Sequence, residues 1–119
     1  MSFTSVFYIF FGGGFGSVIR YLISLFFVNY SFPIATLLAN VVSCIFLSLT
    51  LFYIQKWDLN DSVKMFFIIG FCGGLSTFST FSYETLNLLK TGDVTYALFS
   101  ILFNVLLCLT VLYFLVKEL

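Results

Sequence analysis

The charged residues of this 119-residue chain are spaced so unevenly that they leave four long uncharged stretches. No Asp, Glu, Lys or Arg occurs in residues 1–19, 21–55, 65–83 or 94–116. Uncharged apolar stretches of about 18 or more residues are typical of helices that cross a bilayer. Only 8% of the residues are charged, whereas soluble domains average about 25%. The sequence therefore predicts an integral membrane protein and excludes a disordered chain or a soluble catalytic domain.

We predict an all-α fold in which residues 1–119 form a single transmembrane domain with the lipid bilayer as its surroundings. The four expected spans cover residues 3–28, 34–55, 63–89 and 94–116. Strands are a poor alternative because membrane barrels use alternating segments of about 10 residues. The only proline, Pro33, precedes the second span, and Asp61 or Ser62 is the expected N-cap of the third.

Several classes of function are disfavoured by what the sequence lacks. It contains no histidine, and its net charge is zero, so it has neither the commonest general base nor the basic surface of a nucleic-acid-binding protein. The cysteines Cys44, Cys72 and Cys108 occur singly and are expected to be small buried hydrophobes. We predict no enzymatic activity and no nucleic-acid partner.

The loop charges give only a weak preference for one orientation in the membrane. Four spans put both termini on one side, which carries Lys56, Lys64 and Lys117, against Lys90 and Arg20 on the other. The positive-inside rule compares such counts. A difference this small is compatible with insertion in both orientations.

The first span combines small residues with an intramembrane arginine. Gly12, Gly13 and Gly16 lie within a sector of roughly 140° that also contains Arg20. Small residues allow close helix packing in lipid. Arg20 costs at least about 2.5 kcal/mol in the membrane unless it reaches water or a partner, so it is either an anchor or an anion-attracting charge in a vestibule.

Two asparagines lie inside the second and fourth spans. Asn40 shares a helix face with Thr36, Ser43 and Cys44, and Asn104 follows Ser100 by one turn and precedes Cys108 by one turn. An amide within a membrane has to be satisfied by another helix or by water. Asn40, Asn104 and Ser100 are therefore candidates for a polar pathway.

The third span is predicted to be broken in the middle of the membrane. Residues 70–84 contain three glycines and five serine or threonine residues, which are poor helix formers. A break frees backbone carbonyls that can bind a hard cation. Beyond it, Phe78 and Phe81 are about 60° apart on one helix face, beside Thr77 and Thr80. Because aromatic edges are electropositive, the two phenylalanines can stabilise a small anion, although plain packing is an alternative.

Taken together, residues 12–21, 36–40 and 70–84 resemble the motifs of the small fluoride channels of the Fluc (CrcB) family. The resemblance extends over the whole chain in length, number of spans and order of motifs. It implies an antiparallel, dual-topology homodimer in the bacterial inner or plasma membrane. The function it implies is passive export of fluoride, which lowers the cytoplasmic fluoride concentration.

The resemblance also implies roles for individual residues. The main-chain carbonyls of Gly73 and Ser76 would bind a structural sodium ion that is not transported. Phe78 and Phe81 would line the pore, and Asn40 would donate its amide to fluoride. Arg20 would lie near the vestibule. The sequence departs from the family pattern at Ser76, where many members have threonine, and in the fourth-span track of Ser100, Asn104 and Cys108.

Two other functions are compatible with four short spans. A proton-coupled multidrug-type cation exporter would need a membrane carboxylate, and Glu84 is the only candidate. A non-transporting scaffold could dock through Gly12 and Gly16, but that hypothesis gives no reason for the polar third span.

Overall fold

Helices make up all the regular structure in residues 3–117, the part of the chain that the computed structural model describes. Four stretches are long and apolar enough to cross a membrane, namely Phe3–Phe26, Ile34–Trp57, Asp61–Lys90 and Val94–Val116. A helix of 24 residues is about 36 Å long, which exceeds the roughly 30 Å of hydrocarbon in a bilayer. The prediction of an all-α protein with four membrane-spanning stretches is confirmed.

The first two long helices are α1 (Phe3–Phe26) and α2 (Ile34–Trp57). Pro33 precedes α2 directly, which suits a residue whose fixed φ is compatible with a helix start. Helix α2 ends at Asp58, which takes a left-handed conformation with φ of 47°. That conformation terminates many helices because it turns the chain away from the helix axis.

The N-cap predicted for the third span is wrong by one residue. Helix α3 (Asp61–Lys64) is capped by Asn60, whose side chain accepts a hydrogen bond of 3.1 Å from the Val63 amide. Asn60 has an extended backbone, as N-caps do. Asp61 and Ser62 instead occupy the first turn, where a helical backbone removes the capping geometry.

The third span is made of successive helical segments with different geometry. After α3 come a π-helix, π1 (Met65–Cys72), the short α4 (Gly73–Leu75) and α5 (Phe78–Lys90). The residues between α4 and α5, Ser76 and Thr77, are extended, with ψ of 155° and 119°. The residue types of Met65–Cys72 do not predict π1, since regular and π-helical turns are built from the same residue types. The last helix, α6 (Val94–Val116), completes the fold.

Helix α1 packs backbone to backbone against π1 and α4. A Cβ atom on Gly70 would lie 3.0 Å from the Gly12 Cα, and one on Gly74 would lie 3.1 Å from the Gly13 Cα. These distances are shorter than ordinary van der Waals contact, so side chains at these positions would separate the helices. The small-residue sector predicted on α1 is therefore its packing surface.

The interior is small and partly polar, whereas the outer surface is apolar. Ala39, Phe71, Cys72 and Leu75 form the buried cluster where α2 meets π1 and α4. The Ser43 hydroxyl donates to the Cys72 carbonyl at 2.9 Å, which satisfies a buried polar group. Most large hydrophobic side chains are exposed, as expected of a protein whose solvent is lipid.

Candidate functional site

Asn40 joins three parts of the fold through its side chain. Its Oδ1 accepts a hydrogen bond of 2.8 Å from the Thr77 amide, and its Nδ2 donates to Asn104 Oδ1 at 2.8 Å. Asn104 in turn donates to the Ser100 carbonyl at 2.8 Å. This chain of bonds connects α2, α6 and the extended residues of the third span, and it brings together four of the predicted site residues, Asn40, Thr77, Ser100 and Asn104.

The same bonds free two carbonyl oxygens in the third span. In a continuous helix the Thr77 amide would donate to the Gly73 carbonyl, and the Thr80 amide would donate to the Ser76 carbonyl. Here the Thr77 amide donates to Asn40, and the Thr80 amide donates to Thr77 Oγ1 at 3.1 Å. The carbonyls of Gly73 and Ser76 therefore lose their regular helical donors.

Phe78 and Phe81 border a groove next to the asparagine pair. We call this feature the Asn40 groove; its volume is about 260 Å³. Its lining consists of Asn40, Cys44, Ser76, Thr77, Phe78, Phe81, Asn104, Val105 and Cys108. The two phenyl centroids are 5.7 Å apart with the rings inclined by 47°. Phe78 is 79% exposed, so it is not a core residue of the single chain.

Arg20 lies in a second cavity, of about 370 Å³, which also has Thr77 in its lining. This Arg20 cavity is lined by Ser17, Arg20, Tyr21, Ser24, Ala35, Thr36, Thr77, Thr80 and Glu84. The Arg20 Nε donates to the Gly74 carbonyl at 3.0 Å, so the guanidinium has a partner within the protein. Because Thr77 lines both spaces, the Asn40 groove and the Arg20 cavity meet at this residue.

Glu84 is held by Thr36, a contact between helices that the sequence does not predict. The Thr36 hydroxyl donates to Glu84 Oε1 at 2.9 Å. The other oxygen, Oε2, is buried and has no hydrogen-bond partner within residues 3–117. Thr36 precedes Asn40 by one turn on the same face of α2. This i, i+4 spacing was the one sequence feature that indicated that Thr36 faces the same polar region as Asn40.

Ser100 lies behind the groove rather than on its wall. It is 1% exposed, and its carbonyl and hydroxyl oxygens both face the Asn104 amide, at 2.8 and 3.4 Å. Its contact with the groove is therefore through Asn104.

Comparison with known proteins assigns the chain to a family. A family model described as CrcB-like protein, Camphor Resistance (CrcB), matches residues 7–115. A protein from Campylobacter fetus named fluoride-specific ion channel FluC is 42% identical over 118 residues, covering 96% of this chain and 92% of the relative. The protein of the same name from Pyrococcus furiosus is 46% identical over 98 residues, covering 80% of this chain and 79% of its own length. The chain therefore belongs to the CrcB family.

Proposed function

We propose that this protein is a fluoride-selective channel that lets fluoride leave the cytoplasm passively, and that it is not an enzyme. The observation that carries the proposal is the Asn40 groove, in which a pair of membrane-embedded amides lies beside two phenylalanines. The relatives named fluoride-specific ion channels support it.

The ligands available to an anion in this region are almost all neutral. Asn40 carries a second amide N–H besides the one that it donates to Asn104. The edges of Phe78 and Phe81 are electropositive, and Thr77 and Thr80 carry hydroxyls. Fluoride holds its water strongly, so a pathway has to replace that hydration with donors at close range. In the proposed pathway the groove and the Arg20 cavity are successive parts, with the Arg20 guanidinium attracting the anion.

We also propose that the third span is a discontinuous helix whose free carbonyls hold a structural sodium ion. The residues fit such an ion, because the carbonyls of Gly73 and Ser76 have lost their helical donors to Asn40 and Thr77. Hard cations prefer oxygen ligands of this kind. Bound sodium would supply a fixed positive charge beside the groove. Because main-chain carbonyls alone would hold the ion, a serine at position 76 would serve as well as the threonine that many family members have there.

We further propose that two chains form an antiparallel homodimer of dual topology in the bacterial inner or plasma membrane. Gly73 is exposed, with no atom within 4 Å of a Cβ built on it, and Phe78 is also exposed. A second copy facing this surface would cover Phe78 and would double the two free carbonyls to four oxygens around a two-fold axis.

The proposal is tested by reconstituting the purified protein into liposomes loaded with fluoride and recording efflux with a fluoride electrode. We expect rapid fluoride efflux and, in matched liposomes loaded with chloride, no efflux above that of protein-free vesicles. Equal rates for the two halides, or no fluoride efflux, would contradict the proposal. Proton-coupled uptake of organic cations that disappears in Glu84→Gln would instead favour the exporter.

A further inference from the structure

Cys44 and Cys108 face each other one helical turn beyond the asparagine pair. Asn40 on α2 and Asn104 on α6 are joined by a hydrogen bond of 2.8 Å. A step of four residues along each helix leads to Cys44 and Cys108, and equal steps of about one turn keep residues on the facing sides. Both cysteines line the Asn40 groove, which places their side chains on the same side of the α2–α6 contact.

The pair is accessible from the Asn40 groove, unlike the third cysteine. Cys44 and Cys108 both line the groove and are half-buried, whereas Cys72 is buried in the core. A small ion in the groove therefore reaches both thiols of the pair. The prediction that all three cysteines are buried hydrophobes is correct only for Cys72.

We propose that Cys44 and Cys108 form a two-sulfur binding site for a thiophilic cation of the Hg²⁺, Ag⁺ and Cu⁺ class, and that the bound ion closes the Asn40 groove. Both S–H bonds break, two sulfur–metal bonds form, and the two protons pass to water without any change of oxidation state. The closing effect, but not the binding, rests on the proposed channel function.

The number of side chains available as ligands determines which class of metal ion the cysteine pair can bind. Within residues 3–117 no group of three or more His, Cys, Asp or Glu residues is placed to hold a metal ion, so the four-ligand sites that zinc favours are not available. Two thiolates are sufficient for soft cations that prefer linear two-coordination, and thiolates select soft ions. The neighbouring groups, Asn40, Asn104 and Phe81, are neutral and do not compete for the ion.

The binding is tested with mercuric nitrate on purified protein carrying Cys72→Ala, so that the pair supplies the only thiols. Metal binding to thiols releases their protons. We expect about one mercuric ion per chain with release of about two protons, measured by calorimetry in buffers of different ionisation enthalpy. When Cys44→Ala or Cys108→Ala is added to this variant, the release should fall to about one proton per mercuric ion. Release of one proton per ion with both thiols present would overturn the proposal.

The closing effect is tested by fluoride efflux from liposomes of the same variants. We expect stoichiometric mercuric ion to stop efflux when both thiols are present, and a dithiol chelator to restore it. Each single-cysteine variant, normalised to its own untreated rate, should need an excess of the ion. Two-proton release with unchanged efflux would overturn the closing effect alone. If untreated protein shows no efflux, the channel function fails while the binding result still decides the site.

Discussion

At the scale of single residues, the Asn40 side chain connects α2 with both α6 and the extended residues of the third span. Its Oδ1 holds the Thr77 amide and its Nδ2 holds Asn104. Asn40 thus does two things at once: it diverts the Thr77 amide away from the Gly73 carbonyl, and it fixes the orientation of the second amide in the groove. An aspartate would retain the first role and lose the second.

We predict that Asn40→Asp reduces fluoride efflux by about tenfold or more. The carboxylate lacks the Nδ2 donor that the proposed pathway offers to fluoride, and a barrier raised by about 1.4 kcal/mol slows passage about tenfold. Its negative charge also repels the anion. Efflux from liposomes at equal protein content measures the effect.

Asn29→Asp is the matched control, because Asn29 is exposed in the turn after α1. It should leave the efflux rate unchanged. Equal rates for Asn40→Asp and the wild-type protein would remove Asn40 from the fluoride pathway.

Among the helical elements, α5 begins in the middle of the third membrane-spanning stretch and has a side-chain cap. Thr77 is its N-cap, and Oγ1 accepts from the Thr80 amide at 3.1 Å. We predict that Thr77→Val lowers the thermal midpoint of the detergent-solubilised protein, since loss of an N-cap costs about 1 kcal/mol. Thr77→Ser keeps the hydroxyl and should remain near the wild-type midpoint. If both variants melt together, the cap is not what stabilises the start of α5.

The contact of α1 with the third span predicts opposite changes in stability when two glycines of α1 are replaced by alanine. A Cβ on Gly16 would lie 2.8 Å from the Leu75 amide nitrogen, whereas one on Gly14 has nothing within 4 Å. Gly16→Ala should therefore destabilise the protein by about 1–3 kcal/mol through overpacking. Gly14→Ala should stabilise it by about 0.5–1 kcal/mol through helix propensity.

Thermal unfolding followed by size-exclusion chromatography compares the two variants. A Gly16→Ala midpoint at or above that of Gly14→Ala would contradict the close approach of α1 to α4.

For the whole molecule, the proposed antiparallel dimer predicts which surface of one chain meets the same surface of another. With all native cysteines replaced by alanine, Gly73→Cys should give a crosslinked dimer in membranes, because a two-fold axis at the free carbonyls brings the two copies of residue 73 together. Gly14→Cys is the matched control: this glycine is also exposed and has nothing around its Cβ, but it lies on α1 away from that axis. Gel electrophoresis without reductant measures the dimer. Crosslinking at residue 14 alone, or at neither position, would contradict the proposed arrangement.

Most residues that line the Asn40 groove were predictable, whereas two features of the fold were not, because their residue types are also compatible with the alternatives. The amides of Asn40 and Asn104 and the aromatic pair of Phe78 and Phe81 stand out in an apolar sequence, because each is unusual in its surroundings. The N-cap of α3 was predicted one residue late, since Asn60, Asp61 and Ser62 are all good capping residues and only the backbone conformation selects among them. The π-helical geometry of π1 has no distinct composition, so the sequence gives no signal for it.

The sequence by itself determined that this protein spans a membrane with four helices, because a lipid core accepts only long uncharged stretches whose backbone groups are satisfied internally. It also determined which residues are chemically able to handle an ion there. Only the tertiary structure decided their partners: that Thr77 donates to Asn40, that Thr36 holds Glu84 and that Cys44 and Cys108 line one groove. These pairings join residues 37 to 64 positions apart along the chain. Helix periodicity relates residues within one helix, whereas the register between helices depends on where glycines let them approach.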